Sequence, residues 1–310
     1  MFLELRPNVI TDIPTSDDFH VAGIGYLNLA WQTAIDLGLN LDEADYFDRD
    51  DKDTVPDQYW AAAQRPLSTA VSLLQQGIEF LIKARIAAVS PFLLIDGSPR
   101  DWPSKCNQVD TPYSVFKTID AQDLIRAHNT LCTPRLLDAF VSTYERLRKR
   151  RNTIMHTVDP TLRFTATEVL VDVLEISEVF TGPNKWTAHR AEAIDAEPCS
   201  VAYWGGSCIV RLARECLYAT QELEPAQCLR FFGFNARQRR YRCYNCQLEN
   251  SDSDIVVDTA QLQPNTPTSI TVHCFVCRGN YDVVRQKCPK RGCKGNVLDA
   301  EDRICLTCFN

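Results

Sequence analysis

Apolar residues recur at helical spacing through most of the first 230 positions. Over Asp18–Leu37 they fall at Val21, Ile24, Leu27, Leu29, Trp31 and Ile35. A long helix is predicted from near Asp57, with its strongest part at Leu67–Val89, where Leu74, Ile78, Leu81, Ile82 and Ile86 make one stripe. Glu79 and Lys83, four apart, read as a surface ion pair. A further helix is predicted to open at Thr133-Pro134, a capping residue followed by Pro in the first turn, and to run to His156. Leu136, Leu137, Phe140, Tyr144, Leu147 and Ile154 form its apolar face. Thr165–Phe180 is the next helix, stopped by Thr181-Gly182-Pro183. Val201–Glu222 is another, with Gly205-Gly206 as a candidate break. The acidic run LDEADYFDRDDKD lacks the turn Gly and closing Glu of a calcium loop and reads as a solvated loop. DGSPRDWPSKCNQVDTP, rich in Pro and Asp, also reads as loop.

After Phe231-Phe232-Gly233-Phe234 the pattern changes to cysteine pairs, glycines and short β-prone runs such as SITVHCFVC. The expected fold is mainly α, a helical bundle followed by a small β-rich double zinc-ribbon module. The expected boundaries are a helical domain over 1–187, a helical extension over 188–232 and the module over 233–310.

The chain has fourteen cysteines. Its N-terminus carries no basic region followed by a long apolar run, so a disulfide framework is not expected. Eight cysteines form four tight pairs: Cys243 with Cys246, Cys274 with Cys277, Cys288 with Cys293, and Cys305 with Cys308. Such spacing lets two thiolates reach one ion from a knuckle turn, and two knuckles complete the four-thiolate shell that Zn²⁺ prefers. Sequential pairing gives two ribbons, and interleaved pairing is the alternative. Closed shells of this kind are structural, so two structural Zn²⁺ ions and no catalytic metal are expected. His273, beside Cys274, is a less favoured ligand. Cys106, Cys132, Cys199, Cys208, Cys216 and Cys228 read as buried small apolar residues.

Charge adds a second theme. The net charge is −7, yet from Cys228 onward there are 12 Lys and Arg against 8 Asp and Glu. Binding to a polyanion follows local patches rather than net charge. Arg148, Lys149 and Arg150 form one candidate RNA-contacting patch, although a basic helix end complementing the macrodipole explains them as well. Arg237, Arg239, Arg240 and Arg242, beside Tyr241, form another. No apolar run reaches membrane-spanning length, and a cytoplasmic protein is expected. P-loop, Gly-x-Ser-x-Gly and His-Glu-x-x-His motifs are absent from the sequence.

Arg151 interrupts the apolar stripe of its helix, and His156 stands five positions later at the helix end. The arrangement Arg151-Asn152-x-x-x-His156, preceded by LLQQGIEFLIKARI, resembles the R-x4–6-H signature and earlier core helix of HEPN domains, the higher eukaryote and prokaryote nucleotide-binding helical family. The resemblance covers roughly Asp18–Gly182. It implies a HEPN-like helical bundle and metal-independent RNA cleavage at a cleft between two protomers. His156 would be the general acid or base, Arg151 the charge stabiliser and Asn152 the orienting residue. It further implies a homodimer through the helical domain, and a toxin or phage-defence setting with an antitoxin or defence-system partner. On an ideal helix Arg151 and His156 lie roughly 140° apart. Either the helix loosens near Met155 or a symmetric partner completes the site. Two other readings compete: a non-catalytic HEPN protein binding RNA, nucleotide or a regulatory partner, and a zinc-ribbon DNA-binding protein with a helical dimerisation domain.

Overall fold

The computed structural model describes residues 9–44, 51–202, 208–251 and 255–310. In chain order the elements are β1 (Ile10–Thr11), α1 (Ser16–Asp42), α2 (Val55–Ala62), α3 (Gln64–Val89), β2 (Thr111–Pro112), α4 (Ala121–Leu131), α5 (Asp138–His156), α6 (Ala166–Thr181), α7 (Trp186–Asp195), α8 (Pro198–Ala202), α9 (Cys208–Glu222), α10 (Pro225–Phe232), α11 (Tyr244–Glu249), β3 (Ala260–Leu262), β4 (Thr271–Cys274), β5 (Asn280–Val284) and β6 (Leu298–Asp299). The fold is mainly helical with a small antiparallel sheet, order β3-β4-β5-β6, near the C-terminus. No described helix is long and apolar enough to cross a membrane.

The chain divides into two compact units. One takes the stretch up to Ala30 with Gln64–Phe164; the other takes Trp31–Ala63 with Thr165–Asn310. The limits expected at 187 and 232 do not coincide with the limits of these units.

The first unit is a bundle of the first half of α1 with α3, α4 and α5. Its densest element is α3, which buries Leu67, Leu74, Ile78, Leu81, Ile82 and Ile86, the stripe expected from sequence. Helix α1 crosses α3 at Gly23 and Gly77: a Cβ on Gly23 would stand 2.7 Å from Leu81 Cγ and 3.0 Å from the Gly77 carbonyl oxygen. Glycine is what permits that approach. Val21 and Leu29, expected on the apolar side of α1, are exposed because the helix buries Leu27 and Ala30 instead. The parallel pair β1–β2 joins Ile10 to Thr111.

Three expectations about boundaries need correction. The helix near Asp57 is two helices, α2 and α3, separated at Ala63. Helix α5 starts at Asp138 rather than at Thr133-Pro134; Leu137, expected on the apolar face, is its extended N-cap and is 76% exposed. The region Val201–Glu222 contains the end of α8 and all of α9, and Gly205-Gly206 lies outside the described residues. By contrast α6 follows its signals: the Thr165 hydroxyl accepts the Glu168 N–H, and Gly182 ends the helix with positive φ.

The second unit has a charged centre. Glu215 of α9 and Arg190 of α7 are each 1% exposed. Arg190 Nε and Nη2 donate to the two Glu215 carboxylate oxygens at 2.7 Å each. Trp31 Nε1 donates to Glu215 at 2.9 Å and Arg211 Nε at 3.0 Å. A bidentate pair with every acceptor occupied is the arrangement that tolerates burial; removal of one partner leaves a buried charge uncompensated. Arg190→Ala should therefore destabilise the second unit by about 3–5 kcal/mol in urea denaturation. Arg211→Ala, at a position one-third exposed, should cost much less.

His128 of α4 is the first unit's counterpart. It is fully buried, its Nδ1 lies 3.0 Å from Asn129 Oδ1, and its Nε2 has no partner. Burial lowers its pKa below the ordinary 6.5, against the Asn129 hydrogen bond and with help from Arg85. The folded state thus requires the neutral ring. The stabilisation is complete above the unfolded value and fades as pH falls through the depressed folded value. The urea midpoint of wild type should drop between about pH 7 and pH 5, and His128→Leu should flatten that drop.

Candidate functional site

Two places gather chemistry. The first is on the first unit. Phe140, Tyr144 and Leu147 bury one face of α5 and fix its rotation about its axis. That rotation turns Arg148, Arg151 and Asn152 toward an open depression of about 210 Å³, whose other walls are Glu79 of α3 and Asp120, Ala121 and Gln122 at the start of α4. The Tyr144 hydroxyl donates to the Ala121 carbonyl at 2.5 Å and ties α5 to that start. The first-turn N–H groups of a helix lack intrahelical partners and favour anions. Two guanidinium groups and a helix start thus share one wall system with two carboxylates. Arg151 Nη1 donates to Asn152 Oδ1 at 3.3 Å. Arg148 Nη2 donates to Glu145 at 2.7 Å.

His156 is the last residue of α5 and is exposed. The helix does not loosen before it: the Thr157 N–H bonds the Thr153 carbonyl at 3.0 Å, four residues back. The expected unwinding near Met155 is absent, so His156 lies roughly 140° around α5 from Arg151. The depression brings Arg151 and Asn152 together and leaves His156 on another face. The segment after His156 returns to α3, where Gln64 both accepts the Phe164 N–H (2.9 Å) and donates to its carbonyl (3.1 Å).

Two further expectations change. Arg148, expected within a basic patch at the helix end, is a wall of the depression. Lys149 is exposed as expected, and Arg150 lies over the Phe164 ring at 5.6 Å. Glu79 does not make the expected surface pair with Lys83. It accepts a hydrogen bond from Gln75 at 3.1 Å, while Lys83 donates to Thr118 at 3.1 Å. Asp120 and Gln122 carry no signal in the sequence, and Glu79 reads there only as half of a surface pair. Glu79 matches a common surface pattern, and the other two begin a short helix with few apolar signals.

The second place is the C-terminal module. Its cysteines come together as Cys243, Cys246, Cys274, Cys277 and as Cys288, Cys293, Cys305, Cys308, the sequential arrangement. Within the first set, Cys243–Cys277 and Cys246–Cys274 are 3.7 and 3.8 Å apart. Within the second, Cys288–Cys308 and Cys293–Cys305 are 3.7 and 3.9 Å apart. A tetrahedron with metal–sulfur bonds of about 2.3 Å has edges of about 3.8 Å, so both sets fit one ion each.

Neighbouring donors suit thiolates. Tyr281 Oη is 3.1 Å from Cys277 Sγ, Thr259 Oγ1 is 3.2 Å from Cys274 Sγ, and the Gly295 N–H donates to Cys293 Sγ at 3.3 Å. Burial pushes the Cys305 thiol up, while the N–H groups of Thr307 and Cys308 together with the neighbouring Cys288 and Cys308 thiols bring it down to about 7. Gly295 has to be glycine, because a Cβ there would lie 2.5 Å from Cys305 Sγ. His273 turns away from a ligand role and its Nδ1 pairs with Asn280 Oδ1 at 2.8 Å. Of the remaining six cysteines, Cys132, Cys216 and Cys228 are buried as expected; Cys106 and Cys208 are half-buried, and Cys199 is exposed.

The basic run crosses this module. Arg237, Arg239 and Arg240 are exposed and Arg242 is half-buried. Arg239 lies over the Tyr241 ring at 5.2 Å and donates to Thr307 at 3.1 Å. Arg240 lies over Phe234 at 5.1 Å. The Arg242 N–H bonds the Leu306 carbonyl at 2.8 Å, which joins the two halves of the module.

No family model, curated protein or solved structure matches the chain.

Since the two cysteine sets share no ligand, elemental analysis of reduced protein should give two metal ions per chain for wild type and one for Cys246→Ser. Loss of both ions from that variant would show that the clusters are interdependent.

Proposed function

We propose that the protein is a HEPN-type endoribonuclease acting as a homodimer, with the tetracysteine module holding two Zn²⁺ ions and contacting RNA. The carrying observation is that Arg151, Asn152 and Arg148 line an open depression while His156 stands exposed at the end of the same unbroken helix. A phosphodiester in the depression meets the Arg151 fork, which stabilises charge developing on the phosphoryl oxygens. Arg148 stands in the same wall and contributes to holding the phosphate. Asn152, bonded to Arg151, orients the guanidinium. His156 moves protons as the 2′-hydroxyl attacks the adjacent phosphorus and the 5′-oxygen leaves, giving a 2′,3′-cyclic phosphate and a 5′-hydroxyl. Because one α5 presents Arg151 and His156 on different faces, each centre takes Arg151 from one copy and His156 from its partner across a twofold axis. Zn²⁺ is the ion of choice for the closed four-thiolate shells, and it takes no part in the cleavage. In a toxin or phage-defence setting, a partner covering the depression would silence it.

The angular separation of Arg151 from His156 also favours a second reading, a non-catalytic protein that holds RNA or a nucleotide in the depression.

Cleavage of a broad RNA panel should persist in EDTA under conditions where the module stays folded. His156→Ala should slow it about 10²–10⁴-fold, and Arg151→Ala about 10²–10³-fold. A 2′-deoxy substitution at the cut nucleotide should block it. Mixing the two inactive variants decides the assembly. In mixed dimers one centre keeps both groups, so random exchange restores about a quarter of wild-type activity. A mixture that stays inactive would place the centre within one copy. Wild-type protein that binds RNA without cleaving it would favour the second reading.

A further inference from the structure

The module has a cavity that neither cysteine set uses. It lies between the chain leaving α10 and strands β3 and β4, encloses about 210 Å³, and is walled by Phe234, Phe275, Asn235, Gln238, Asn265 and His273 among others. That is below the roughly 300–1,000 Å³ typical of pockets for drug-sized ligands, and it suits one small ring system.

The chemistry of its walls is specific. Phe234 and Phe275, with ring centroids 4.7 Å apart, form an apolar floor. Above it sit side chains that both donate and accept. Gln261 holds the Asn235 backbone on both sides, accepting its N–H at 2.9 Å and donating to its carbonyl at 2.7 Å. Asn235 Oδ1 in turn accepts the Arg237 N–H at 3.0 Å, which fixes the Asn235 amide with its NH₂ group unused. His273 Nδ1 lies 2.8 Å from Asn280 Oδ1, and its ring forms part of the cavity wall. The side-chain amides of Gln238 and Asn265 have no partner among the described residues. Exposed cations are near in the chain: Arg237 and Arg239 adjoin Gln238, and the Arg240 guanidinium lies over the ring of the wall residue Phe234 at 5.1 Å.

An apolar floor, a rim of paired donors and acceptors, and adjacent positive charge match one chemical object: a planar heteroaromatic ring with hydrogen-bonding edges, carried on an anion. We infer that this cavity binds a single unpaired nucleobase, with Arg237, Arg239 and Arg240 taking the attached phosphates. Single-stranded RNA presents bases in this splayed form, read on their edges and packed on aromatic side chains. The inference rests on the RNA-contacting role proposed for the module and not on the cleavage step.

The test uses full-length, metal-loaded His156→Ala protein, so that strand integrity does not affect binding. Fluorescence anisotropy is measured with a labelled mixed-sequence RNA octamer and with versions carrying one abasic position each. The expected result is about ten-fold weaker binding for at least one abasic octamer. Gln238→Ala/Asn265→Ala, changes at the rim, should weaken the intact octamer by a similar factor and leave that abasic octamer unaffected. Arg237→Ala should weaken both equally. Competition with mononucleotides separates the sources of the ring. Displacement by a mononucleotide at the octamer's own concentration assigns the cavity to free nucleotides; resistance assigns it to a strand. Equal binding of intact and abasic octamers, insensitivity to the rim changes, or no binding of octamer or mononucleotide would overturn the inference. Cleavage by the otherwise wild-type rim variant is scored separately. Intact cleavage with no base-dependent binding removes the cavity's role alone, and base-dependent binding without wild-type cleavage removes the ribonuclease alone.

Discussion

Along α5 the ladder of backbone hydrogen bonds continues until the Thr157 N–H closes on the Thr153 carbonyl. A helix held in that way has no torsional freedom to bring residues five apart onto one face. The burial of Phe140, Tyr144 and Leu147 then decides which face looks where. Arg148, Arg151 and Asn152 are committed to the depression by the same packing that builds the bundle, and His156 is committed elsewhere. Core and candidate centre are therefore not separable: a change that rotates α5 to improve packing would remove two guanidinium groups from the start of α4.

The C-terminal module meets a different limit. Its strands are two to five residues long, and its second half packs Leu298 directly among its own cysteines Cys288 and Cys305. Each set of four converging thiols could hold an ion, and bonds to such an ion would add to what packing on these short strands supplies. The knuckles carry their own conformational demands, as Gly295 against Cys305 shows.

How much of this was legible depended on how local the signal was. The α3 stripe, the α6 cap and stop, and the cysteine pairs are each encoded within a few residues, and the structure follows them. Pro134 is a sound helix-start signal, but Leu137 and Asp138 took the cap and first position. Helix α4 went unnoticed because it buries only Leu124 and His128, too few for a period to emerge. Nothing within α7 marks Arg190 as buried, since its partner Glu215 lies twenty-five positions away. The depression unites residues from 79 to 152, and the cavity beside β3 unites residues from 229 to 275. Neither set shares a motif. Asn235 and Gln261 are ordinary polar residues until the fold clamps one against the other.

Trp31 offers one more consequence. Its indole N–H ends on the buried Glu215 carboxylate, and its ring lies 5.3 Å from that of Trp186, which is also buried. An indole fixed beside a negative charge and a second indole has an emission spectrum set by that field and by transfer between the rings. Opening of the second unit replaces both with water. The fluorescence of this pair is accordingly an intrinsic optical gauge of whether α7 and α9 remain closed over the tail of α1, readable without attaching a dye.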